Sequence, residues 1–318
     1  MARKKVVVIG GGHGQSAILR GIKKIEEIDI TAIVTVADDG GSTGRLRRHF
    51  HIPAMGDIRN VLISLGESET LLATLMDYRF ESSGDTDEDV MGHNLGNLIL
   101  TAMTQSCGSF MESITTLCKV LNVRGDIIPA TSQVITLFAR MQDGTIVRGE
   151  SNIPNISNRI REVFYEEKVS ATPAAIEAIL NADVVVLGIG SVYTSILPNL
   201  IIPEIKEALE KSKAKVVYYC NAMTQPGETD GYSLEDHVEA FRHHGSDVNM
   251  VVMADDEIPD EILQRYHDEG SVEVKMKEND HDYEIMRCSL LDFSRSLVRH
   301  DSDKIRESLE LILERMNS

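Results

Sequence analysis

The 318-residue chain has no tryptophan, four cysteines and eight prolines, and it is short of positive charge. Its 32 Lys and Arg face 50 Asp and Glu, giving a formal net charge of −18. That balance disfavours attraction to nucleic acid or to an anionic membrane, so a bound polyanion needs a local basic or amide-lined pocket. Cys107, Cys118, Cys220 and Cys288 form no C-x-x-C pair, which removes the usual zinc signature, and no spacing favours a disulfide. Four thiols in a chain this long read as reduced, mostly buried residues. Long apolar runs are missing too: none approaches the ~20 residues of a membrane span. The run Val6–Ile9, after Arg3, Lys4 and Lys5, stops at Gly10, short of the ~7–15 apolar residues of a signal-peptide core. The expectation is a cytoplasmic protein with no nucleic-acid partner and no membrane insertion. A homo-oligomer is compatible with the sequence, which does not fix the number of subunits.

What is present is an alternation of short apolar runs with helical patterns. KVVVIG leads into a helix with Ile18, Leu19, Ile22 and Ile25 on one face; ITAIVTVA (30–37), DVVVLG (183–188), KVVYYC (215–220) and VNMVVMA (248–254) repeat the theme. Continuous Val/Ile runs are the mark of parallel strands covered on both faces, so the expected fold is a single α/β domain over 1–318, Rossmann-like and doubly wound. Residues 55–122 read as a helical insertion: Asp57 opens a helix carrying Ile58, Val61, Leu62 and Leu65, a second stripe runs through Leu95, Leu98, Ile99, Ala102 and Met103, and 109–121 form a third helix. ESSGDTDED (81–89) reads as an acidic loop of mobile character. Residues 126–165 read as a β-rich insertion with a hairpin turn at Asp143-Gly144. Ile305, Leu309, Ile312 and Met316 line one face of a last helix capped by Asp301 or Ser302.

In open α/β sheets, ligands bind beyond the carboxyl ends of the strands, and here those ends are unusual. The first carries Gly10, Gly11, Gly12, His13 and Gly14. A dinucleotide fingerprint G-x-G-x-x-G would need glycine at 15, where Gln15 stands, so a phosphate cradle is expected without nicotinamide specificity. The second carries DDGGSTGRLRR (38–48). Gly40 and Gly41 allow close approach, Ser42 and Thr43 offer hydroxyls, and Asp38 and Asp39 suit a divalent cation or a ribose. Arg45 suits phosphate; Arg47 and Arg48 read more simply as a solvated basic face. In GDIRN, Asp57 reads as a helix cap and Arg59 as a surface residue. In GHNLGN, Asn94 reads as a cap, with His93 and Asn97 on one face able to address one ligand. GIGSVYTSILPNL (188–200) is a second glycine loop, Gly188 and Gly190 with Ser191, Tyr193, Thr194 and Ser195 as neutral donors for phosphate or sugar oxygens. After the KVVYYC strand, Asn221, Thr224, Gln225 and Glu228 are candidates for ligand contact, while Ser233 and Asp236 form a capping box. His243, His244, His49 and His51 read as surface or packing residues, with no third metal ligand at suitable spacing.

The segments GGGHGQSAILRGI, ITAIVTVADDGGSTGRLR, MGDIRNVLISL, GHNLGNLIL, GIGSVYTSILPNL and CNAMTQPGETDGYSLEDH together resemble the gluconeogenesis-factor family, which is YvcK-like and related to the phospholactate transferase of deazaflavin cofactor synthesis. The resemblance implies a CofD-like fold and a cytoplasmic protein. It also implies binding of a nucleotide sugar such as UDP-N-acetylglucosamine, and partners in cell-wall precursor control needed for cell shape on gluconeogenic carbon sources. From the transferase branch it implies a nucleoside diphosphate-linked donor and Mg²⁺, with diphosphate at the glycine loops, Asp38 and Asp39 at the metal or acceptor position, and Arg299 of RHD (299–301) beside the nucleotide. The chain departs from the family's usual GGGTG at His13 and from its GPGS at Ile189.

Three functions compete on these grounds: a nucleotide-sugar-binding regulator without turnover, a metal-dependent transferase using Asp38, Asp39 or Asp57, and a nicotinamide dehydrogenase. The broken fingerprint makes the last the weakest.

Overall fold

The computed structural model of the chain describes residues 3–67, 70–81, 90–278 and 280–317, so all but the first residue of the acidic stretch 81–89 lies outside the described residues. The first half runs β1 (Lys4–Gly10), α1 (Gly12–Ile22), β2 (Ile28–Val34), α2 (Gly41–Phe50), α3 (Gly56–Leu65), α4 (Thr70–Asp77), α5 (Leu95–Cys107), α6 (Phe110–Val120) and β3 (Asp126–Pro129). A small antiparallel sheet follows, β4 (Phe138–Met141), β5 (Ile146–Arg148) and β6 (Ile160–Phe164), with a short 3-10 helix Glu150–Asn155 between its last two strands. The second half runs α7 (Pro173–Leu180), β7 (Val184–Leu187), a wide turn Val192–Ile196 into α8 (Leu197–Leu200), α9 (Pro203–Lys211), β8 (Lys215–Tyr219), α10 (Leu234–His243), β9 (Met250–Ala254), α11 (Asp260–Asp268), β10 (Glu284–Cys288), the short pair β11 (Leu291–Asp292) and β12 (Arg299–His300), and α12 (Ser302–Asn317).

Seven strands form one parallel sheet in the order β10-β9-β8-β7-β1-β2-β3. The chain winds outward from β1 through β2 to β3, then returns to the other side of β1 and winds through β7 to β10. This is the doubly wound arrangement, and its reversal point lies between β1 and β7. Val6–Ile9 of β1 and Val184–Leu187 of β7 are almost wholly buried, which is why they read as unbroken apolar runs. The core lies on both faces of the sheet, with α1 packed between α3 and α12. Among the described residues no helix is long and apolar enough to cross a membrane.

The two insertions differ from the sequence reading. α3 packs directly beside α1 on the main sheet, and α4 is a further helix in the same region. The β-rich stretch is divided: Asp126–Pro129 pairs with β2 as an edge strand of the main sheet, and only β4 to β6 form a separate sheet. Length explains this, because a four-residue strand carries no period that tells which sheet it joins. The β4–β5 turn does fall at Asp143-Gly144, with Thr145 N donating to Asp143 Oδ1 at 2.9 Å. Asp301 caps α12 by accepting from the amides of Asp303 and Lys304.

Candidate functional site

The reversal point brings the two glycine loops into contact. A Cβ on Gly14 would stand 2.1 Å from the carbonyl oxygen of Ile189, so glycine there is what lets the start of α1 touch the second loop. Asn199 joins the loops from beneath: its Nδ2 donates to Gly10 O (3.2 Å) and Ser195 O (2.9 Å). Asn221 brackets the second loop, accepting from Gly190 N at 3.3 Å and donating to Gly190 O at 3.0 Å. Gln15, where a dinucleotide fold needs its third glycine, is fully buried and donates to Val8 O (3.0 Å) and Ile33 O (2.9 Å). Position 15 thus ties β1 to β2 and no longer serves close helix–strand packing around a dinucleotide.

The helices that begin at this edge add backbone N–H groups. α1 starts at Gly12, α2 at Gly41, α3 at Gly56 and α5 at Leu95, and helix N-termini favour anions through free N–H groups and the macrodipole. α2 and α5 are locked together. Ser42 Oγ lies 3.0 Å from His93 Nδ1 and accepts from Asn94 N (3.2 Å) and Asn97 Nδ2 (3.4 Å). His93 and Asn97 do address one group, but that group is the Ser42 hydroxyl, and His93 precedes α5 instead of lying on it. Asn94 is the cap, accepting from Asn97 N at 3.1 Å. The buried Asn97 Oδ1 has no partner among the described residues.

Carboxylates sit among these N-termini. Asp57 lies in the first turn of α3 and not at its cap; a Cβ on Gly11 would come within 2.5 Å of its Oδ2. Burial, and then the charge of Asp38, push its carboxyl up to about 7. Burial also raises Asp38, whose Oδ1 accepts from Gly40 N at 2.9 Å. Glu150, which the sequence reading missed, is pushed up to about 8 by burial and by the charges of Asp38, Asp57, Glu228 and Asp39. It reaches the site because Glu150–Asn155 folds over the sheet edge: Ser151 N donates to Asp39 Oδ1 at 2.9 Å, and the Pro154 carbonyl packs against Gly227. No periodicity marks Glu150, since only the fold of the small sheet carries it there.

The structure redistributes the other candidates. Ser191 and Thr194 donate to Glu228 Oε1 at 3.0 and 2.9 Å, so both hydroxyls are spent inside the protein. Gln225 accepts from Ser191 and donates to Glu228. Tyr193 is a core residue whose hydroxyl pairs with Tyr232 at 2.8 Å, and Thr224 ties its loop to Val272. Ser195 remains open: its Oγ lies 3.9 Å from the Cβ position of both Gly12 and Gly190, with no hydrogen-bond partner among the described residues. His13 is exposed at the first turn of α1. Arg299 is exposed on β12, opposite Asp292 and within electrostatic reach of Arg20, with no hydrogen bond to either loop among the described residues. Two basic residues expected at the surface are buried: Arg59 on α3, and Arg47, which donates to Ala37 O and Asp38 O. Their stems pack inside while the guanidinium groups satisfy carbonyls or carboxylates, a placement that side-chain type alone does not reveal.

Among the described residues, no group of three or more His, Cys, Asp and Glu side chains is arranged to hold a metal ion. Mg²⁺ commonly needs only one or two carboxylates when substrate phosphates complete its shell. Asp38 with Asp57 fits that mode. Asp39 Oδ1 accepts from Ser151 N at 2.9 Å, as Asp38 Oδ1 accepts from Gly40 N, so each has one carboxylate oxygen already bonded to the backbone.

A Rossmann-like α/β fold with a glycine-lined crevice at the sheet's reversal point defines the class. The sequence signature described as "2-phospho-L-lactate transferase CofD" matches residues 6–292. The chain is 44% identical to the gluconeogenesis factor of Bacillus subtilis, covering 96% of this chain and 97% of that one. It is 42% identical to the gluconeogenesis factor of Listeria monocytogenes, covering 98% and 96%. A crystal structure of a UPF0052-family protein from Bacillus halodurans superposes with a TM-score of 0.90 at 44% identity, covering 96% of this chain and 99% of that one. The chain belongs to the gluconeogenesis-factor family of CofD-like proteins.

Proposed function

We propose that this chain is a cytoplasmic regulator that binds a nucleotide sugar of the UDP-N-acetylglucosamine type, and that it serves cell shape on gluconeogenic carbon sources through protein partners in cell-wall precursor control. The observation that carries the reading is the meeting of two glycine loops at the reversal point, with Gly14 against Ile189, beside the start of α1 and the open hydroxyl of Ser195. That geometry suits a diphosphate, with amide donors for its oxygens. The crowded carboxylates require that the diphosphate arrive with a cation or that protons be taken up; Asp38 and Asp57 are the proposed Mg²⁺ ligands, and the ion's role is to neutralise charge between them and the phosphates.

A thermal-shift titration with UDP-N-acetylglucosamine, with and without Mg²⁺, tests it. Saturation at ~100 Kd adds about 2.7 kcal/mol of stability. No shift with this sugar nucleotide or its congeners removes the proposal.

A second reading, a metal-dependent transferase for a diphosphate-linked donor, is favoured by the recessed Asp57 beside Asp38. Product formation from such donors, abolished in Asp57→Asn, separates it from the first.

A further inference from the structure

The helices α4 and α5 differ from the rest of the chain in charge. Asp, Glu, Lys and Arg make up 26% of the sequence, yet Asp77 is the one such residue in α4, and α5 has none. On their inner side, Leu72 and Met76 of α4 and Ile99 and Met103 of α5 pack on the core. The outer side of α4 is apolar as well: Leu71 and Leu75, one turn apart, are 67% and 41% exposed, and Tyr78, just past the helix end, is 50% exposed. On α5 the half-buried Leu95 and Leu98 lie outside the core, followed by the exposed, uncharged Ala102, Gln105 and Ser106. The two outer stripes join at the end of α4, where Leu95 N donates to Tyr78 O at 2.8 Å and the Tyr78 and Phe80 rings meet edge to face at 5.2 Å. A helix that is apolar all round is ordinarily buried, so this face calls for a cover.

The charges at the joined end say what covers it. Asp77 and Arg79 flank Tyr78. The Asp77 side chain is 72% exposed and comes no closer to a cation than 3.9 Å from Arg59 among the described residues. Arg79 is exposed and donates to Gly92 O at 2.8 Å, with no carboxylate partner among the described residues. Arg45, further toward α2, likewise donates to a carbonyl, that of Met91. A twofold axis sets residue i of one copy against residue j of the other and j against i. Two copies meeting antiparallel at Tyr78 therefore place each Asp77 opposite the other copy's Arg79. A second copy of a chain with a net charge of −18 is repelled by most of this surface, and a face nearly free of charge removes that barrier.

From the uncharged outer stripes and the Asp77–Arg79 flank we infer that the α4–α5 face is where two copies of this chain associate about a twofold axis. The inference does not rest on the nucleotide-sugar reading. At 1.5 Å per residue α5 is about 20 Å long, and α4 beside it adds a helix diameter of about 10 Å, so the face belongs to the small, reversible class of interfaces. A dissociation constant on the order of 10–100 µM suits that size.

Sedimentation equilibrium of the full chain from about 5 to 500 µM tests the inference, with an average mass rising from that of one chain toward that of two as the expected result. Leu71→Glu and Leu75→Glu, at exposed positions, each weaken association at least about tenfold and leave the melting temperature unchanged. Asp77→Arg and Arg79→Asp each set like charges opposite one another and weaken association on their own. An equal mixture of these two variants regains it, because both contacts in the mixed pair are then of opposite sign. A single-chain mass at every concentration overturns the inference and leaves the face to a different protein. Association unchanged by both leucine variants, or a mixture no tighter than its two components, overturns it as well.

Discussion

Gly14 and Ile189, 175 positions apart in the chain, touch so closely that a methyl group at 14 would overlap the Ile189 carbonyl, its Cβ 2.1 Å from that oxygen. The first helix and the second glycine loop therefore form one surface. Gly14→Ala pushes that surface apart. The expected cost is about 1–3 kcal/mol, the range for inserted methyl groups in a packed site. Urea unfolding measures it, and the ligand-induced thermal shift should fall with it.

Gln15→Gly restores the letters of a dinucleotide fingerprint and removes the tie between Val8 O and Ile33 O. The variant should be less stable by about 1–3 kcal/mol, because two buried carbonyls lose their donor. It should gain no affinity for NAD, measured by calorimetry. A tight NAD complex would show that position 15 alone decides the ligand.

Asp57 gives the site a pH dependence. Its carboxyl titrates near 7 in the folded chain against an ordinary value of 3.8, so the folded state binds the proton more tightly than the unfolded state. Stability from this group is then full below the unfolded value and declines as pH rises through the folded one. Glu150, titrating near 8, extends the same decline to higher pH. Asp57→Asn should flatten the stability profile between pH 4 and 7 and stabilise the unliganded chain at pH 8 by about 1–2 kcal/mol. Denaturation midpoints across that range are the measurement; an unchanged slope rules the assignment out.

Glu228 gathers the hydroxyls of Ser191 and Thr194 and the amide of Gln225 on one oxygen. Glu228→Ala leaves those donors without their acceptor and should cost about 1–3 kcal/mol. Because the second loop loses its internal support, sugar-nucleotide affinity should drop together with the melting temperature. Full affinity in this variant would mean that the loop is held by Asn221 alone.

Ser233 and Asp236 cap α10 reciprocally, with Ser233 N donating to Asp236 Oδ2 at 2.8 Å. Ser233→Ala should cost about 1 kcal/mol and leave ligand binding unchanged, which separates plain stability loss from damage to the crevice.

The strands, the carboxyl edge and both glycine loops were legible because their signals are local. Val6–Ile9 is apolar in sequence and buried in space, and Gly10–Gly14 follows it directly. Capping at Asn94, Asp301 and Ser233 was legible for the same reason, since a cap bonds within its own turn. Asn199 was harder to see, although an asparagine inside the apolar run SILPNL is a signal that a buried polar group is needed there. The hydroxyls of Ser191, Tyr193 and Thr194 looked free because their partners, Glu228 and Tyr232, lie more than thirty residues away.

By itself, then, the sequence determined the doubly wound sheet, the edge where its strands end in glycine loops and the family to which the chain belongs, all written in short-range periodicity and contiguous motifs. Only the tertiary structure decided which donors remain free and which carboxyls share one field. Ser195 stays open while Ser191 closes onto Glu228, and Glu150 joins Asp38 and Asp57 across more than ninety residues. Burial and Coulomb interaction act through space, and no pattern along the chain records them.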